Sequence, residues 1–363
     1  MSFIPQPVWI PLVLLAGALI LRAEPADPAI GLLLPPEEPE SASLREGATL
    51  GVELANKALG VRYRLIIRGR TGPWGADGVE AARMATDDGA LGLIAPPDGA
   101  ASHLVLQVSG RTGVPVVSLC ADSSVSRTGV PWAVRMVART EEEATALFAH
   151  WPAARWTALI PGGRAGREIA RDLRTAATTG QYTLGQIIEV LPSSTNAESP
   201  ARQVVLDHPA AVLLWLDPIR AGQFVRALRA VGFTGTLAGP GRLRSPVFAA
   251  AAGSDLEGFV APAPALDTDA ADALQSFSDV FRARYGHEPD PTAEAAGDAA
   301  TLLIHILRNS GEHPAREAFP LSFSCGGTSG PLTFDAQGNR KMILQLFRAH
   351  QGHYIPITTE ANH

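Results

Sequence analysis

The chain is short of cysteine, lysine and aromatic residues. Two cysteines, Cys120 and Cys325, stand far apart in 363 residues, which excludes a disulfide-dense scaffold and any CxxC metal or redox motif. Lysine occurs only at Lys57 and Lys341, so nearly every cation is an arginine, and the formal charge is −6. An acidic balance without a basic patch weighs against nucleic acid as a partner. Charged residues are only 18% and hydrophobic ones 46%, enough for a large buried core and unlike a disordered composition. Long apolar runs are absent with one exception. Val8 to Leu21, broken by Pro11, is shorter than the roughly 20 residues a spanning helix needs and suits a secretory signal. The expectation is a signal over 1–23, cut near Ala23. Left uncut, the same stretch would anchor the chain to a membrane. No cysteine follows the run, so a lipid-anchored lipoprotein is excluded.

Beyond it, short apolar runs alternate with helical patterns. Strands are predicted at Ile30–Leu34, Tyr63–Ile67, Leu91–Ala95 and Val114–Leu119. Between them lie helices at Ala42–Leu59, Ala76–Asp87 and Ala100–Gly110, the first with Leu44, Ala48, Val52 and Ala55 on one face. This rhythm implies a parallel sheet covered on both faces. Thr140-Glu-Glu-Glu143 reads as a capping box, Thr140 capping and Glu143 reaching back. From there the rhythm restarts. Strands are expected at Trp156–Ile160, Leu184–Val190, Ala211–Leu216 and Thr236–Ala238, with helices after each of the first three. Two long helices, Asp267–Tyr285 and Ala293–Asn309, and a hairpin turning at Gln351-Gly352 complete the chain.

The order of these phrases resembles the type I periplasmic solute-binding proteins, specifically the branched-chain amino-acid (Leu/Ile/Val) binding family of ABC importers. The likeness runs from about Ala29 to Ile357. It includes Ile30-Gly-Leu-Leu-Leu34, Gly51-Val-Glu-Leu-Ala-Asn56, Gly113-Val-Pro-Val-Val-Ser118, Arg284-Tyr-Gly-His-Glu-Pro289 and Ser329-Gly-Pro-Leu-Thr-Phe-Asp335. The resemblance implies an α/β fold of two doubly wound, Rossmann-like lobes joined by three crossovers, near Met136–Arg139, Val260–Pro264 and Thr328–Pro331. Lobe one would be 29–137 plus 262–330, and lobe two 138–261 plus 331–363. It also implies a monomer in the periplasm that captures a small polar ligand, an amino acid or similar, for an ABC importer permease, with no cofactor. The alternative is a ligand-sensing or partner-binding protein of the same fold without a transport role.

In open α/β sheets ligands bind beyond the carboxyl ends of the strands, where helix N-termini offer free N–H groups. The turns expected there are Pro97-Asp98-Gly99-Ala100 and Cys120-Ala121-Asp122-Ser123 from lobe one. Lobe two would add Arg164, Ala165, Trp215, Asp217, Gly241 and Arg242. In the resembling family a serine at the position of Gly99, groups at Cys120 and Asp122, a tyrosine near Ala165 and an acid near Gly241 hold an amino acid. Here Gly99 lacks a hydroxyl, Asp122 is a carboxylate, Ala165 has no ring and Gly241 no charge. The residues present suggest instead a ligand with a cationic end and an anionic or polar end, set between Asp98 and Asp122, with Glu37 and Glu38, and Arg164 and Arg242. Nothing points to catalysis or a metal. Pro161-Gly-Gly-Arg-Ala-Gly166 lacks the Lys-Ser/Thr of a P-loop. His350 and His353 bracket a hairpin without a third ligand. Cys120 reads as a small buried side chain or as a partner for Cys325.

Overall fold

The computed structural model describes residues 27–35, 40–69, 75–191, 196–309, 325–328 and 330–357. The expected signal at 1–23, Glu37, Glu38 and Ser329 lie outside the described residues.

Five parallel strands form the first sheet: β1 (Ala29–Leu34), β2 (Arg64–Gly69), β3 (Ala90–Ala95), β4 (Val116–Ser118) and β5 (Ala133–Arg135), in the order β2-β1-β3-β4-β5. Helices α1 (Glu40–Leu59), α2 (Ala76–Thr86) and α3 (Gly99–Thr112) connect them. Strand β1 shows why both faces are covered. Its residues alternate, so Ile30, Leu32 and Leu34 join a core with α1, while Leu33 joins another with Ala81 and Met84 of α2.

The second lobe repeats the arrangement. Helix α4 (Thr140–His150) leads to β6 (Arg155–Pro161), α5 (Arg164–Gly180), β7 (Thr183–Val190), α6 (Glu198–Leu206), β8 (Ala211–Leu214), α7 (Pro218–Ala230), β9 (Thr236–Ala238), α8 (Pro246–Ala252) and β10 (Val260–Pro264). Its parallel strands are ordered β7-β6-β8-β9-β10, the same winding as in the first sheet. Then α9 (Thr268–Tyr285) and α10 (Pro291–Asn309) return to lobe one. Gly47 and Gly51 of α1 make the return possible. A Cβ at Gly47 would lie 2.1 Å from the Ala293 carbonyl oxygen, and one at Gly51 2.6 Å from that of Gly297. The two helix backbones touch where only glycine fits. A small antiparallel pair, β11 (Cys325–Gly327) and β12 (Gly330–Leu332), follows. The chain ends in the hairpin β13 (Leu344–His350) and β14 (His353–Pro356), which pairs antiparallel with β10. Gln351 and Gly352 both have positive φ, as a tight two-residue turn requires.

Three expectations are corrected. The box at α4 sits one residue earlier: the Arg139 N–H donates to Glu142 Oε2 at 2.8 Å, and Thr140 is already helical. Glu143 is thereby turned inward. Val260–Pro264 is a strand of the second sheet, so the boundary expected between 261 and 262 falls inside β10, and the crossing follows Pro264. The third crossing also comes later: past the β11–β12 hairpin Phe334 still packs in the lobe-one core and Asn339 still bridges Arg135 of β5, so the chain crosses after Arg340. No helix among the described residues is long and apolar enough to cross a membrane.

Candidate functional site

The carboxyl ends of both parallel sheets face one cavity of about 500 Å³. Thirteen of the fourteen residues expected at the site border it. Ser123 does not. It is buried, and its hydroxyl donates to Asp172 Oδ1 on α5 at 3.0 Å, tying lobe one to lobe two.

Several bordering groups are already engaged. Asp98 caps α3, accepting from the Ala101 N–H at 2.7 Å, and Asp217 caps α7, accepting from the Arg220 N–H at 2.9 Å. Asp122 Oδ1 accepts from the N–H and the hydroxyl of Ser124, both at 2.8 Å. A Cβ at Gly99 would lie 2.9 Å from Asp122 Oδ2, so glycine leaves room for that carboxylate. Arg171, midway along α5, bonds Asp172 and pairs with Glu168, and stands 3.8 Å from Asp122 across the lobes. Arg242 pairs with Glu40 of α1 at 3.2 Å and donates to the Leu216 carbonyl at 2.8 Å. Trp215 is buried in a lobe-two core and borders the cavity. Arg164 and Ala165, in the first turn of α5, are exposed at the rim.

Cys120 and Cys325 are both free and buried, in different cores, so the pairing left open by the sequence is not made. Burial pushes each thiol up to about 12. His350 bonds Glu257 on the surface, and no cluster of metal-ligating side chains occurs among the described residues.

Sequence reasoning missed the inner wall. Glu40, Glu143, Glu294, Arg244, Asp298 and Arg340 all border the cavity. Glu143 accepts from the Gly241 N–H at 2.8 Å, and burial raises it to about 7 against the pull of that bond, Arg242 and Arg244. Asp298 accepts from the Thr328 hydroxyl at 2.6 Å and pairs with Arg340 at 3.1 Å, a buried ion pair where the third crossing meets α10. Glu294, also on α10, is half-buried. Burial raises it to about 7, with Asp290 and Asp298 adding and Arg244 and Arg340 opposing. A Thr-Glu-Glu-Glu run holds more than one capping register, and the inward carboxylate could have been sought there. For Glu294 the sequence shows only an acid in a first helical turn, which is where any helix favours one.

A model of the periplasmic binding protein family matches residues 30–322. The chain belongs to that family. This binding protein also resembles solved structures over nearly its whole length. The leucine binding protein LivK of Thermotoga maritima superposes with TM-score 0.79 at 16% identity, covering 91% of this chain and 98% of that one. LivJ of Streptococcus pneumoniae, solved with isoleucine, gives 0.78 at 15%, covering 90% and 97%. An ABC transporter solute binding protein of R. palustris, solved with benzoate, gives 0.79 at 19%, covering 91% and 95%. At these identities the likeness shows the fold. The search of curated proteins found no match. The family and these neighbours are binding proteins, not enzymes, and the resemblance read from the sequence phrases holds.

Proposed function

We propose that this binding protein is exported, encloses a small organic solute between its lobes, and presents it to the permease of an ABC importer. The observation that carries the reading is the cavity, built from the carboxyl edges of two like-wound sheets and of a size that suits small solutes. The lobes that close are 29–137 with 265–340, and 138–264 with 341–357. Closure excludes water and turns helix N-termini and backbone N–H groups onto the solute. The crossings after β5, after β10 and after Arg340 serve as the hinge. Neighbours of the same fold hold isoleucine and benzoate, which supports a solute of that size and leaves its chemistry to this chain's own residues.

The test is thermal unfolding of the chain against fractionated metabolite extracts. A solute at one hundred times its Kd adds roughly 2.7 kcal/mol. At least one fraction is expected to raise Tm, and Ala165→Trp, which fills the rim of the cavity, is expected to abolish the rise. No rise with any fraction, or a rise that survives the tryptophan, would overturn the reading. Delivery is checked with the candidate permease in vesicles, where the loaded protein stimulates ATP hydrolysis. Solute binding without any such stimulation would favour a sensing role.

A further inference from the structure

We propose that the solute carries a cationic nitrogen on an apolar body and that Glu294 receives it. This rests on the reading of the cavity as the solute site. Nine carboxylates and four guanidinium groups border the cavity, so its interior is negative and draws cations. Eight of the nine are committed to the helix caps, loop bonds and ion pairs described above. Glu294 is the ninth. Among the described residues its carboxylate has no hydrogen bond and no ion pair. Arg244 and Arg340 act on it through charge without reaching ion-pair distance, and Asp290 and Asp298 stand nearby with like charge. Asp290 is engaged elsewhere, capping α10 through Thr292 and Ala293 and accepting from Ser43.

A half-buried carboxylate in a negative surround and open to the cavity is completed by a donor that brings positive charge. An ammonium group provides charge-assisted hydrogen bonds where the protein supplies none. Pro97, Leu119, Met136, Ile169, Met342 and Leu344 form an apolar wall for the rest of the molecule. The raised pKa of Glu294 adds a signature. Near pH 6 the free carboxyl holds a proton that an entering cation must displace.

The probes are benzylamine against benzoate, and isopentylamine against 4-methylpentanoate, titrated calorimetrically into the full chain at pH 8. Both amines are expected to bind at least about tenfold more tightly than their matched acids. Glu294→Gln keeps the shape of the residue and is expected to cost the amines about tenfold or more. At pH 6 amine binding should release close to one proton, read from two buffers of different ionisation heat, and the release should vanish in Glu294→Gln. Acids that bind as well as the amines, or amine binding unchanged in Glu294→Gln, would overturn the inference while leaving a solute-binding protein. If no probe binds but a metabolite fraction raises Tm, the inference again falls alone. If neither occurs, both readings fall.

Discussion

Removing the Ser123 hydroxyl isolates the closed state from the stability of either lobe. Ser123 lies in the loop after β4 and Asp172 on α5, so their 3.0 Å bond spans the cleft and belongs to neither core. The same hydroxyl accepts from Arg171 Nη2 at 3.0 Å; Asp172 is buried, and Ser123→Ala removes both bonds and leaves the carboxylate with Arg171 on that side. A hydrogen bond to a charged group is worth about 1.5–3 kcal/mol. Because the bond exists only with the lobes together, its loss multiplies the open-to-closed ratio by about 10 to 150. Small-angle scattering of the solute-free protein reads this directly as a larger radius of gyration, while the urea midpoint of unfolding stays put. An unchanged scattering curve, or an opening matched by an equal loss of global stability, would refute the argument that this contact acts as a latch.

Other outcomes follow from the packing and the buried acids. Gly47→Ala drives a methyl group into the Ala293 carbonyl and should destabilise the protein by about 1–3 kcal/mol or more, seen as a lower urea midpoint. Glu143 holds its proton up to about 7 in the folded protein against 4.5 in the unfolded chain. The unfolded chain therefore loses its proton first, and stability falls as pH rises from 4.5 to 7 and then levels. Glu143→Gln, which can still accept from Gly241, should reduce the measured decline in melts across the range and leave the share of Glu294. Cys120 and Cys325 should resist a thiol reagent at pH 8 in the native protein and react within the mixing time in guanidinium.

The alternation of strands and helices was readable because runs such as Leu91–Ala95 are apolar throughout and bounded by turns. Elements that lean on neighbours were not. Strand β5 is three residues ending in Arg135, whose burial only the surrounding fold explains. Strand β10, which the resemblance made a crossover, holds two prolines. Val260 accepts from the Gly239 N–H, so Pro262 and Pro264 face the same edge, and β9 ends before reaching them. No ladder bond is forfeited there, which is why proline is tolerated. The site was legible as a place, since strand ends and turns mark it. Its charges were not, because whether a carboxylate caps a helix, pairs across the lobes or faces the cavity unpartnered depends on residues a hundred or more positions away. Arg242 meeting Glu40 is such a case.

The glycine-lined seam between α1 and α10 also sets an order of assembly. The first sheet emerges from synthesis early, yet the helix that seals one of its faces is some 240 residues downstream of α1. The intervening lobe has all its parallel strands before that helix exists. A nascent chain halted after β10 would hold a complete parallel sheet in its second half and an unsealed one in its first, with the apolar stripe of α1 facing solvent. The leading lobe is the last to close.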